Sequence, residues 1–334
     1  MSSNPGRWPA GAYIYDPGIG FDFASGISAY IGDKSFYVKS HDLGYRIART
    51  ESSKSFRPGG ILSLGCSFTY GDEVEAGQTF TQYLADELHL PAYNYGVCSF
   101  SYTHALIKAR QLKEKGILDK LRPKYVILGC WKGLPGRSLS PFPPIASRNF
   151  KLPAAHLIKE NDKISIKPPL QIGNVFDLIE MYRKEGAEMT FNKFFRIFLK
   201  APGIYITYVK SKPFLNGKGK GRNSKSGSDI ANYEIYDFYF SGIKKIFDEY
   251  DAKIIVLYMP TSPNNRPDNQ ITMALNKHRD LIFANGSEAV KKHDVPASDY
   301  QAVHPQTKAH RAYALEIMEE DHGSGKKQGR SLSA

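Results

Sequence analysis

The sequence predicts an α/β protein: a mainly parallel, five-stranded sheet covered by helices on both faces. Two observations predict it. Short apolar runs at 60–64, 92–95, 124–129 and 253–259 alternate with longer segments of helical spacing, and runs this short between helices mark parallel strands joined by crossovers. The Gly-, Ser-, Cys- and His-bearing loops then fall directly after the runs, where open parallel sheets bind their ligands.

Taken in order, residues 1–58 are polar, rich in Gly and aromatics and weakly periodic. They read as an N-terminal extension of loops and short strands, ending at Pro58-Gly59-Gly60. The core spans 59–131 and 232–322. Its first strand is 60–64, followed by a helix over 79–88 through Phe80, Tyr83, Leu84 and Leu88. The second strand is 92–95, a helix covers 101–115, and the third strand is 124–129. The pattern breaks after Trp131. Residues 132–231 hold a cluster of prolines, an aromatic stretch around Phe191 to Phe198, and a Gly/Lys/Ser loop over 216–228 of mobile composition, so they read as a large insertion after strand three, a candidate lid or cap. A helix over 233–250, the fourth strand, a helical segment over 271–292 with Gly286 as a possible break, a short fifth strand at 293–297 and a last helix over 306–320 complete the core. Residues 323–334 read as a disordered tail.

The bulk numbers agree with one main domain carrying insertions. The chain has 334 residues, 41% hydrophobic and 23% charged, close to an average soluble composition that can build a core. Its net charge of +12 favours acidic partners. No zinc-finger spacing, ribonucleoprotein-type aromatic motif or basic zipper accompanies that charge, so nucleic acid is not the expected partner. The basic aromatic stretch 191–208 offers a peripheral contact with an anionic membrane surface, as a minor reading beside packing onto the core. Three cysteines without framework spacing (Cys66, Cys98, Cys130) argue against a disulfide scaffold, and no histidine joins them at metal-ligand spacing, so no metal and no cofactor are expected. No apolar signal-peptide core lies within residues 1–11 and no run is long enough to span a bilayer, making a cytoplasmic location the expectation.

Three loops carry chemistry. Gly65-Cys66-Ser67-Phe68-Thr69-Tyr70-Gly71 follows strand one, and a serine on a tight strand-to-helix turn projects its hydroxyl over the sheet edge while the turn's N–H groups face an oxyanion. The bland alternative is a serine capping a helix. Asn94-Tyr95-Gly96-Val97-Cys98-Ser99 follows strand two, with Gly96 able to approach a tetrahedral intermediate closely; a turn glycine is its ordinary reading. His304-Pro305, followed by His310, precedes the last helix, where a histidine can take and return the serine proton.

In this order the three loops resemble blocks I, II and V of the SGNH (GDSL-type) hydrolases. The resemblance covers the proposed core and not the insertion. It implies a flavodoxin-like three-layer α/β/α sandwich and a serine esterase with Ser67 as nucleophile, His304 as base and Asp299 as third member. Asp299 stands five residues before His304, where the family's usual spacing is three; a backbone carbonyl is the alternative orienting group, and Asp294 is the weaker candidate. The N–H groups of Ser67 and Gly96 would hold the oxyanion. Cys66 occupies the usual Asp position of block I, and block III departs most: Gly129-Cys130-Trp131 has Trp131 where an oxyanion-binding Asn is usual. Losing such a donor costs about 10²–10³ in rate. Three readings stay open there: a substitute donor (the Trp131 indole N–H or Lys132), a slow enzyme, or a non-catalytic glycan-binding relative.

A softer resemblance, through Asp16-Pro17-Gly18-Ile19-Gly20 and His41-Asp42-Leu43-Gly44-Tyr45-Arg46, is to a bacterial subgroup associated with surface-polysaccharide production. It implies an acylated sugar or glycan as substrate, with an O-acyltransferase on the same fold as the alternative.

Overall fold

The computed structural model describes residues 12–31, 36–141, 143, 153–169, 230–300 and 304–327. Five parallel strands form the centre: β6 (Ile61–Gly65), β7 (Ala92–Gly96), β8 (Tyr125–Cys130), β11 (Lys253–Tyr258) and β12 (Ile282–Asn285). Their spatial order is β12-β11-β8-β6-β7. β6, β8 and β11 are buried along almost their whole length, as expected for apolar strands covered on both faces.

The helices follow the predicted alternation. α1 (Ser67–Tyr70) and α2 (Phe80–Leu88) come after β6, and α3 (Tyr102–Glu114) and α4 (Ile117–Leu121) after β7. α5 (Leu134–Ser138) and α6 (Asn232–Phe247) come after β8, α7 (Asn269–Lys277) after β11, and α8 (Gly286–Lys292) and α9 (Thr307–Lys327) after β12. α2, α8 and α9 pack together on one face; α3, α4, α6 and α7 cover the other. The chain leaves β6 toward β7 on one side and later returns to β8 on the other. The loops after β6 and β8 therefore diverge, opening the crevice typical of such a switch point.

Three predicted features change. The segment 271–292 is not one helix: Ile282-Phe283-Ala284-Asn285 pairs in register with Ile255 to Tyr258 as the fifth parallel strand, and 293–297 forms no strand. A run this short fits either period, and pairing with β11 decides it. The last helix continues to Lys327, past the expected tail boundary at 323. The sheet also has eight strands, because the N-terminal extension adds β3 (Ser28–Ile31), β4 (Phe36–Ser40) and β5 (Arg46–Ile47) antiparallel beside β7.

The extension also forms a hairpin of β1 (Tyr13–Asp16) and β2 (Gly20–Phe23) that docks on α3. Asp16 accepts the N–H groups of Gly18 and Ile19 and the Gln111 amide, and Asp22 pairs with Lys108 at 2.5 Å, largely out of solvent. Of the insertion, α5 and a hairpin of β9 (His156–Glu160) and β10 (Lys163–Lys167) are described. The aromatic stretch 191–208 and the loop 216–228 lie outside the described residues. Among the described residues no helix is long and apolar enough to cross a membrane.

Candidate active site

Ser67 sits where β6 turns sharply into α1. Gly65 makes the turn possible: its φ is +156°, and a Cβ there would lie 2.1 Å from the Thr69 hydroxyl. Cys66 is extended and wholly buried, so the next residue, Ser67, is the one that emerges at the sheet's carboxyl edge. Its N–H opens α1 and has no intrahelical acceptor. α1 ends at Gly71 in the left-handed region, and the chain bends back through Asp72 and Glu73.

This loop is held from two sides. Arg46, on the added strand β5, is 5% exposed, and its guanidinium donates to the carbonyls of Tyr70 at 2.5 Å, Gly71 at 2.7 Å and Val74 at 2.6 Å while lying 4.5 Å over the Tyr70 ring. Asn94 on β7 donates to the Thr69 carbonyl at 2.8 Å. The role of Arg46 was not legible in the sequence, since nothing local links residue 46 to residues 70–74.

His304, just before α9, meets the serine: its Nε2 is 2.9 Å from Ser67 Oγ. The imidazole stands edge-on to the Phe68 ring, centroids 5.4 Å apart. His304 Nδ1 is buried without a hydrogen bond among the described residues. Two carboxylates lie close: Glu73 Oε1 is 3.5 Å from Nδ1, and Asp72 Oδ2 is 3.8 Å from Nε2. Glu73 also accepts the Gln306 side-chain N–H at 2.8 Å. The sequence reading missed both acids. Their only signal was position, at the end of the serine loop.

Asp299, expected beside His304, is placed elsewhere. Its Oδ2 accepts the Ala309 N–H at 3.0 Å and its carbonyl accepts the Gln306 N–H at 2.9 Å, so it caps the start of α9. The unpaired N–H groups of a helix's first turn compete for a nearby carboxylate, and here they hold it. Asp294 closes α8 in a left-handed turn. His310 is fully buried against Phe80, its Nδ1 accepting the Phe80 N–H; burial and the cations nearby drop its pKa to about 3, so it is a neutral packing residue.

Gly96 also differs from expectation. Its N–H donates to the Asn94 side chain at 3.0 Å, so it is engaged within the turn. What the glycine provides is approach: a Cβ there would lie 2.4 Å from the Tyr70 nitrogen, so only glycine lets α1 sit against the end of β7. Ser99, in the left-handed region at φ +73°, is a strained residue in the same loop.

Trp131, at the end of β8, stacks on Phe68 with ring centroids 5.4 Å apart and planes at 15°. Its indole N–H is buried and has no acceptor among the described residues. The Arg137 guanidinium lies 5.5 Å from the Trp131 ring and donates to the Phe100 carbonyl. The three cysteines are buried and form no disulfide among the described residues, and burial pushes the Cys130 thiol up to about 12. Among the described residues no three His, Cys, Asp or Glu side chains cluster as metal ligands would.

No family model matches the chain, and no curated protein matches it. Solved structures similar to it include that of TesA, at 10% identity and a TM-score of 0.40, covering 78% of this chain and 97% of that one. A member of the lipolytic protein G-D-S-L family from Veillonella parvula is 10% identical with a TM-score of 0.35, covering 78% and 96%. Axe2, an acetyl xylan esterase from Geobacillus stearothermophilus, is 12% identical with a TM-score of 0.36, covering 79% and 96%.

Proposed function

We propose that this chain is a serine esterase that hydrolyses a short acyl ester carried on a carbohydrate. One observation carries the reading: the 2.9 Å contact between His304 Nε2 and Ser67 Oγ at the carboxyl edge of a parallel sheet. A nucleophile and its base within hydrogen-bond reach are the minimal unit of acyl transfer.

Ser67 Oγ attacks the ester carbonyl carbon as its proton passes to His304 Nε2. The carbonyl π electrons move onto the oxygen, which the Ser67 N–H and the Trp131 indole N–H receive. Collapse breaks the bond to the alkoxy oxygen, which takes the proton from His304 and leaves as the alcohol. Water then adds to the acyl-enzyme with His304 as base, and the acid departs as Ser67 recovers its proton. The Gly96 N–H has no part in this, being occupied by Asn94. Trp131 enters because its buried N–H lacks an acceptor among the described residues and β8 lies beside β6. The sugar assignment rests on the motif resemblance of the N-terminal elements.

The test is hydrolysis of p-nitrophenyl acetate and of a peracetylated sugar by wild type, Ser67→Ala and His304→Ala, with fluorophosphonate labelling in parallel. Wild type is expected to turn over and to be labelled. Both variants should lose about 10³-fold or more in rate, and Ser67→Ala should not label. Labelling of Ser67→Ala at the wild-type rate would remove the nucleophile assignment. Acetate transferred to sugar in preference to water would make the protein an acyltransferase.

A further inference from the structure

We propose that Glu73 is the positioning residue that orients His304, in the place expected for Asp299. The proposal rests on the esterase reading and adds the group that selects the histidine tautomer. To accept a proton at Nε2, the imidazole must carry its own on Nδ1, and that N–H needs an acceptor. Nδ1 is buried and without a hydrogen bond among the described residues, and the carboxylate oxygen that faces it is Glu73 Oε1 at 3.5 Å. Catalytic hydrogen bonds are often long before substrate binds and tighten in the reacting complex.

The competing acids are placed otherwise. Asp299 is held by the Ala309 N–H. Asp72 lies 3.8 Å from Nε2, the nitrogen that faces the serine, so it can favour the imidazolium but not fix the tautomer. Glu73 is itself located: its carboxylate is 12% exposed, and Oε2 accepts the Gln306 amide at 2.8 Å, from the segment that carries His304. Among the described residues Phe68 also faces His304, and the nearby His310 is kept neutral by burial.

Glu73 therefore rides on the loop of the nucleophile, six residues after Ser67, and the base arrives from across the crevice. During attack Nδ1–H donates to Glu73, Nε2 takes the Ser67 proton, and the carboxylate stays ionised against the imidazolium that forms. Proton and charge balance within the three side chains.

The experiment compares wild type, Glu73→Gln, Glu73→Asp, Asp72→Asn and Asp299→Asn. Each is read by kcat and KM on p-nitrophenyl acetate against pH, by the rate of fluorophosphonate labelling, and by the urea unfolding midpoint. Glu73→Gln is expected to lower kcat by about 10²–10⁴ with little change in KM. It should also move the acid limb of the profile to lower pH, because a lost negative charge makes the imidazole less basic. Glu73→Asp should recover part of the rate. Asp299→Asn should lower the unfolding midpoint and leave the pH limb in place. If wild type turns over and Ser67→Ala does not, but Glu73→Gln keeps its rate and pH limb, the Glu73 assignment falls and the esterase reading stands. If Asp299→Asn loses the rate and shifts the limb, the orienting acid is Asp299. If wild type neither turns over nor labels, both readings fall together.

Discussion

Arg46→Met is the perturbation that most directly tests how this fold builds its site. The guanidinium donates to three carbonyls of the serine loop, at Tyr70, Gly71 and Val74, from an almost fully buried position. Hydrogen bonds to a charged group contribute about 1.5–3 kcal/mol each, so the gross loss is about 5–9 kcal/mol. Removing a buried cation also removes its desolvation cost, which is several kcal/mol. The net destabilisation worked from these terms is about 3–5 kcal/mol. The catalytic effect is separable from the stability effect. The clamped residues lie between Ser67 and Glu73 or just beyond, and a shift of about 1 Å in reacting groups costs about 10² in rate. Arg46→Lys should be intermediate, because an ammonium cannot span three acceptors as a planar fork does. Urea unfolding and kcat/KM on p-nitrophenyl acetate are the assays, run on both variants so that a poorly folding methionine variant does not leave the question to one protein. A methionine variant within about 0.5 kcal/mol of wild type in stability, the range of an ordinary surface substitution, and with unchanged kcat/KM would refute the clamp argument.

Two further predictions follow from the same structure. Stability should fall on acidification, because burial drops His104 and His310 to about 3 from an ordinary 6.5. Below 6.5 the unfolded chain takes up protons that the folded chain refuses, so each histidine costs about 2 kcal/mol between about pH 7.5 and about pH 5, roughly 4 kcal/mol together. Urea midpoints measured across that range check it, and a flat profile would mean that the two rings are protonated in the folded state. Trp131→Phe keeps a ring against Phe68 and deletes the indole N–H, so kcat should fall about 10²–10³ if that group receives the oxyanion. Unchanged kcat in single-turnover assays would leave Trp131 as packing alone.

The strands of the centre were legible because their apolar runs are short and bounded by turn residues; β6, β7, β8 and β11 lie within one residue or so of where periodicity put them. β12 was not, because three apolar residues and Asn285 next to helix formers satisfy either period until β11 offers its edge. Ser67 and His304 were legible through local loop chemistry, and the contact between them spans 237 residues of sequence. The acids near His304 were not. Asp299 stood at nearly the usual separation in sequence, but the Ala309 N–H in the first turn of α9 holds its carboxylate, and Glu73 Oε1 lies 3.5 Å from the imidazole Nδ1. The clamp of Arg46 was equally hidden, since the extension's place beside β7 brings residue 46 under residues 70–74. The sequence by itself determined the periodicities, the glycine at the turn after β6, and the residue types able to attack and to exchange a proton. Only the tertiary structure decided which acid faces which nitrogen. Hydrogen bonds are allotted by competition among groups distant in the chain, and that competition exists only once the chain has folded.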